Sequence, residues 1–471
     1  MSNNPELTFF YGLMMVLALA ACGASLFLLR RGITLNPIAY FIGVFIVQIL
    51  GTYPQFSPLE EADEMHAYLI LIASLVILFF SFLFGRSQEM AVRIAVWKKQ
   101  PDLPLMQRKL AGKRRKRSAW RLMRHELSGV VFLFVVSIAA SLLYYRIVGY
   151  NLFVEAMTTS GGEFEIGVDD FTTRRLASYA GDSYTGAGIF NQFKNTVLPI
   201  SFFAILMHLL ARAPWGWAVA FLAFTGPIFL YCILGTGQRA FLFYSLMMFV
   251  IATVNQKKKN LIVLAGFVVG FLVLFGTYSV VLGRQAEGEQ GLVGALGQLY
   301  YRIFMAQQKA SVMGFRYLYP LEITYGYEWF QSFRGLIPGV RGSDLSNRVH
   351  AYMYISHRGT APVSFWVSAY HNFGVVGVVS AGVIWLMILK KTFLFLLGLK
   401  KSAINRMVMS ALLLYCGLTV VATPAQIFNY GLLGIIFIFL IVGISRQRMP
   451  MRGGSSDRIG LRRNMRKAKG I

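Results

Sequence analysis

Apolar runs long enough to cross a bilayer recur along the whole chain, and no other feature of the sequence constrains its fold so tightly. About 30 Å of hydrocarbon needs roughly 20 apolar residues in a helix. Such runs fall near 9–29, 37–53, 67–85, 129–148, 196–212, 215–234, 240–254, 261–279, 368–389, 407–424 and 428–445. With 56% hydrophobic residues among 471 and a mean hydropathy of +0.57, the chain reads as an all-α polytopic integral membrane protein of about eleven spans. The first run is followed by Arg30 and Arg31 without an A-x-A-like cleavage site, so it is expected to remain as a helix rather than leave as a signal peptide. Cys22, Cys232 and Cys416 each lie inside an apolar run and read as small buried side chains.

The formal charge of +26 is concentrated in two blocks, Arg86 to Arg124 with KRRKR at its centre, and Arg446 to Lys469. Both flank apolar spans, so they read as cytoplasmic retention signals facing anionic membrane lipids, and no nucleic acid is expected as a partner. Fixing both blocks inside puts the N-terminus outside. Arg30–Arg31, Arg212, Lys257–Lys259 and Lys390–Arg406 then share the inner side, while the acidic turn Pro58 to His66 is external. The expected organisation is N-terminal spans over 1–85, a basic cytoplasmic loop over 86–128, and a transmembrane core over 129–279 with an external loop at 150–195. A large external loop over 280–367, C-terminal spans over 368–445 and a basic tail over 446–471 complete it. In the large loop, Ala295 to Phe315 has helical spacing and is expected as short helices embedded in the outer interface.

Arginine on the external side runs against the charge rule, and the inventory there is Arg239, Arg284, Arg302, Arg316, Arg334, Arg341, Arg348 and Arg358. Ion pairs with Glu287, Glu289, Glu322, Glu328 and Asp344 account for part of it. The surplus of guanidinium suits a bound polyanion. Arg239 stands where one span ends and the next begins, and Gly235-Thr236-Gly237 before it lets the backbone turn tightly and approach a ligand. A helix start with freed N–H groups beside an arginine suits phosphate. His350, His357 and His371 cluster externally without the i, i+4 spacing of helical zinc sites, which favours proton transfer or hydrogen bonding over metal binding. No metal or other cofactor is expected. His66 and His125, read as loop residues, and His208 within a span are expected to be structural, and Asp169–Asp170 reads as a solvated pair beside Arg174 and Arg175. Walker loops, GxSxG elbows and HExxH motifs are absent.

Four stretches occur in order: YRIVGYNLF (Tyr145 to Phe153), LGTGQRAFLF (Leu234 to Phe243), LIPGVR (Leu336 to Arg341) and NRVHAYMYISHRGTAPVSFWVSAYHNFGVVG (Asn347 to Gly377). Together they resemble the Wzy-type polymerases of O-antigen, enterobacterial common antigen and related exopolysaccharides, over roughly residues 130 to 445; those of enterobacterial common antigen look most alike. The resemblance implies a metal-independent, GT-C-type glycosyltransferase of the bacterial inner membrane, its active site facing the periplasm. Such an enzyme transfers a growing glycan from undecaprenyl pyrophosphate onto an incoming lipid-linked repeat unit. By the resemblance, Arg239 and Arg284 stabilise the departing pyrophosphate, and His357 activates or orients the acceptor hydroxyl. Arg341, Arg358, Thr360, Arg334, His350 and Tyr325 are the implied substrate-binding residues, with Tyr325, Tyr327 and Trp329 available to stack on sugars. A chain-length regulator and a flippase are the implied neighbours. An O-antigen ligase shares this layout, and a non-catalytic flippase for lipid-linked oligosaccharide also needs a cationic cavity. Charge gathered in an external cap rather than along the spans favours the transferase over the flippase.

Overall fold

The computed structural model describes residues 5–30, 35–57, 59–97, 105–158, 187–254, 297, 300–337, 340, 342–355, 359–399, 402–421, 423 and 425–443. Every element among them is a helix. The first five are α1 (Pro5–Leu28), α2 (Pro37–Thr52), α3 (Glu61–Trp97), α4 (Leu105–Val148) and α5 (Leu152–Thr158). Next come α6 (Ala187–Gln192), continuous through a π turn with α7 (Leu198–Arg212), then α8 (Trp215–Leu234) and α9 (Arg239–Val254). A π turn at Arg302–Ala306 leads into α10 (Gln307–Leu318), followed by α11 (Tyr327–Arg334) and α12 (Leu345–Tyr354). Finally come α13 (Phe365–Leu397), α14 (Ala403–Leu418) and α15 (Leu433–Val442), the last entered through a π turn at Phe428–Leu432.

Eight described helices are long and apolar enough to cross a membrane, and two shorter apolar helices, Ala240–Thr253 and Phe428–Val442, accompany them. The architecture is that of a multi-pass membrane protein, and the expected span at 261–279 lies outside the described residues. Local chemistry sets several boundaries. Asn36 caps α2 by accepting from Ile38 N at 3.1 Å, with Pro37 at the first helical position. Asn151 starts α5 by accepting from the N–H groups of Phe153 and Val154.

Helices α7 and α14 are buried along most of their length and form the middle of the bundle, with α2, α4 and α9 packed around them. On α8, by contrast, Trp217, Val219, Leu222 and Phe224 are exposed, as expected for a helix whose outer face meets hydrocarbon rather than water. At one end of the bundle Gly85 lies against Leu28, Lys390 over the Phe84 ring at 3.4 Å, and Phe395 against Phe439. Gly129 meets Val442 at the same end. Gln55, Asp63, His66, Arg316 and Trp366 come together at the other. The ends of these helices thus fall into two separate groups.

Several expectations are corrected. The span placed at 196–212 begins a full two turns earlier, at Gly188, because its polar residues turn inward. The span placed at 368–389 runs from Phe365 to Leu397 and is interrupted at Gly374. The backbone of the basic loop at 86–128 is largely helical, as α3 runs on to Trp97 and α4 starts at Leu105. His125 therefore lies in α4. His66 is likewise in a helix, wholly buried in α3, and its Nε2 accepts from Trp366 Nε1 at 3.0 Å. Of the segment expected as short helices partly embedded in the outer interface, α10 packs against α2 and α3, with Gln308, Ser311, Gly314 and Phe315 buried. Small and polar side chains there permit close approach to the outer end of α2, which an interfacial helix has no need of.

Arg316 locks that insertion. Its guanidinium grips the fully buried Asp63 carboxylate through two contacts, Nε to Oδ1 at 2.9 Å and Nη2 to Oδ2 at 2.5 Å, and also donates to Gln55 O. The carboxylate comes from the segment expected to be an external acidic turn, of which Glu61 onward is α3. Asp63→Asn leaves a buried guanidinium without its counter-charge and is expected to cost about 3–5 kcal/mol. A lowered unfolding midpoint in detergent checks this, and Asp63→Asn with Arg316→Met should recover part of the loss; an unchanged single-variant midpoint would show the pair to be dispensable.

Candidate functional site

Gly374 breaks α13 about two and a half turns from its start, with φ 65° and ψ −157°. The His371 carbonyl accepts instead from the Thr324 N–H at 3.0 Å and from the Thr324 hydroxyl at 3.3 Å. The segment ahead of α11 is thereby laid across α13. It turns at Tyr325 and Gly326, both left-handed, and Gly326 sits so close to the Phe373 ring that a Cβ would come within 2.7 Å.

Asn372 completes the attachment. Its Oδ1 accepts from Trp329 N and Thr324 Oγ1, each at 3.2 Å, and its Nδ2 donates to Ser368 O at 2.8 Å and Glu328 Oε2 at 3.3 Å. Trp329 N is one of the first-turn donors of α11 that lack a partner within the helix. Trp329 Nε1 donates to Ser368 Oγ at 2.7 Å and its ring packs on Phe365 and Phe373, so this tryptophan helps hold α11 on α13.

Between α11, the 342–348 segment and the first turns of α13 lies a cavity of about 450 Å³, within the range of roughly 300–1,000 Å³ usual for small-molecule sites. Glu328, Arg348, His371, Asp344, Glu322 and Tyr327 are its chemically informative lining residues. Glu328 is 4% exposed and accepts from Ser332 Oγ, Ser343 Oγ and Asn372 Nδ2. Its carboxylate is therefore fixed in place. Arg348 pairs with Asp344 one turn before it, Nε to Oδ1 at 3.0 Å, at the open side. His371 is also 4% exposed, and neither ring nitrogen has a hydrogen-bond partner. A buried imidazole with both nitrogens unspent can accept a proton from one substrate hydroxyl and donate to another group. Three carboxylates against one guanidinium suit an uncharged polyol better than a pyrophosphate.

The sequence-predicted residues fall mostly elsewhere. Arg284, Arg341, His357 and Arg358 lie outside the described residues, as do Asp169 and Asp170; Arg239 opens α9, and its side chain is likewise outside them. Arg334 is exposed at the end of α11 near the Phe330 ring, and Tyr325 is 85% exposed; neither lines the cavity. His350 packs on Tyr354, and Gly359 lies directly against the His350 ring, leaving no room for a Cβ. That contact is the physical reason for a glycine beside Thr360, which is exposed. Gly235 is also pressed against protein, meeting Asn151 and Tyr145 rather than open space, so its smallness serves packing of the first two motifs on one another. Gly237, at φ 71°, does make the tight turn.

Asn372 is not singled out by the sequence, which reads His371 only as one of three clustered histidines and Glu328 only as an ion-pair carboxylate, neither of them as a substrate-contacting residue. The available signal was the His-Asn pair in the opening turns of an apolar span, an expensive placement that marks function or a specific polar fit. No family model, curated protein or solved structure matches the chain. Asn372→Ala is expected to release α11: hydrogen exchange across 324–331 should accelerate while the spans stay protected. Unchanged exchange there would mean that the aromatic contacts alone hold the helix.

Proposed function

We propose that the chain is a membrane glycosyltransferase that polymerises undecaprenyl-pyrophosphate-linked oligosaccharide repeat units at the periplasmic face of the inner membrane, with about eleven spans in a GT-C-like layout. The observation that carries this reading is the polar cavity at one end of the bundle, with His371 unpartnered in its wall beside Glu328 and Arg348. The surplus of carboxylate favours the acceptor sugar as the occupant of this cavity. The donor pyrophosphate then belongs with the arginines of the flanking segments, Arg239 and Arg284 first among them.

In this mechanism an acceptor hydroxyl attacks the anomeric carbon of the donor glycan. The bond to the pyrophosphate oxygen breaks, undecaprenyl pyrophosphate leaves, and the hydroxyl proton passes to His371. His371 takes the role that the motif resemblance gives to His357. Glu328 accepts hydrogen bonds and orients the sugar, and the guanidinium groups stabilise charge on the leaving group. The activated donor supplies the driving force, so neither nucleotide nor metal enters the reaction.

The test uses purified full-length protein in lipid nanodiscs with lipid-linked repeat unit from a host extract, no nucleotide and EDTA present. A ladder of glycan lengths is expected; transfer of the lipid across vesicle bilayers without a ladder would replace this reading with a flippase. Arg239→Ala and Arg284→Ala should abolish the ladder with protein retained in the membrane, and Arg239→Lys should fail too, because an ammonium lacks the bidentate fork. His371→Ala should slow transfer by about 10²–10⁴-fold, the usual contribution of a positioned base, and more than His357→Ala does. The reverse order would return the acceptor role to His357.

A further inference from the structure

Lys194 lies outside the cavity just described and is a fully buried basic group whose Nζ has no hydrogen-bond partner. It stands in the π turn Phe193–Val197 between α6 and α7. Its ammonium rests over the Tyr144 ring at 4.0 Å and near the Tyr145 ring at 5.5 Å. Two aromatic faces attract a cation, but by less than an ammonium loses on leaving water, and an apolar side chain of the same length would fill the space without that cost. An intramembrane lysine in an irregular helical turn is a placement that favours a functional role over packing alone.

Tyr145 ties this lysine to a second set of donors. Its hydroxyl donates to Cys232 O at 2.7 Å near the end of α8, and Gly235 is packed against the same hydroxyl. The next residue, Thr236, is fully buried with its own hydroxyl unpartnered. Gly237 then turns the chain into α9, a helix of 16 residues that begins with Arg239 and whose first N–H groups have no intrahelical acceptor. An ammonium, a hydroxyl and a helix N-terminus are the donor set that oxyanions take.

We propose that Lys194, Thr236 and the N-terminus of α9 form a buried binding site for a phosphate-class anion, either the headgroup of a phosphorylated lipid or free phosphate or pyrophosphate. The argument stands on the uncompensated ammonium and does not depend on polymerase activity. Where that activity holds, Lys194 becomes a further contact to the departing pyrophosphate.

The test titrates the full-length protein in phosphatidylcholine nanodiscs with inorganic pyrophosphate and, separately, with farnesyl pyrophosphate, by calorimetry and thermal shift. Wild type should bind, and Lys194→Met should bind about tenfold or more weakly, the usual loss for one charge-assisted hydrogen bond. Without probe, Lys194→Met should melt at a higher temperature than wild type, since it removes a buried unpaired charge; weaker binding then cannot be ascribed to misfolding. Thr236→Val should weaken binding as well and serves if Lys194→Met does not fold. Lysine-dependent binding of both probes supports a site that recognises the free anion; binding of the farnesyl probe alone supports a lipid headgroup site. Equal binding by wild type and Lys194→Met, or no binding of either probe by wild type, overturns the proposal. An intact glycan ladder alongside that result leaves the proposed function standing, and lysine-dependent binding without a ladder does the reverse.

Discussion

Asn372 is the joint on which the candidate site depends. Its carboxamide has two N–H donors and two acceptor lone pairs, and all four are used, tying α13 to its own Ser368 carbonyl, to Glu328, to Thr324 and to the first turn of α11. In an apolar surrounding a break in a helix is tolerated only where other groups take up the freed backbone. At Gly374 the chain meets that condition with Thr324, and the cavity wall follows from it: the break frees the His371 carbonyl, Thr324 captures it, and α11 carries Glu328 to within reach of Asn372.

A similar constraint operates at the other irregular turns. The π turns Phe193–Val197 and Phe428–Leu432 pack on each other, with Gln192 donating to Phe428 O at 2.9 Å and accepting from Gly434 N at 2.9 Å. Thr196 adds a bond to Tyr430 O, and Gly431, at φ 137°, leaves room for the Thr196 side chain. At these two turns the side chains of Gln192 and Thr196 answer the irregular backbone. Lys194, in the first of them, does not, and this contrast is what separates it from its neighbours.

Much of the fold is legible in the sequence because hydrocarbon selects for long apolar helices. The run read at 215–234 is α8 to the residue, and 37–53 is α2 within one. Misreadings cluster where polar residues open a span. Asn191, Gln192, Lys194 and Asn195 look like loop in a hydropathy profile, yet they continue the helix: Lys194 and Asn195 are buried in the bundle, and Gln192 bonds to Phe428 O and Gly434 N. The arginine argument was blurred for a related reason. Arg316 is satisfied by Asp63, 253 residues away along the chain, and no local pattern announces such a pair.

Apolar length and the placement of basic blocks are local properties, so the sequence alone determined that this chain is a bundle of membrane-crossing helices and which helix ends share a side. Which polar groups meet is not local. The cavity joins residues 321–348 to His371 across a helix break, and Lys194 meets Tyr144 and Tyr145, the latter packed against Gly235 of another helix end. Hydrogen bonds and buried charges act over a few ångströms, so only the tertiary structure, by bringing distant segments within that range, decided where chemistry is available.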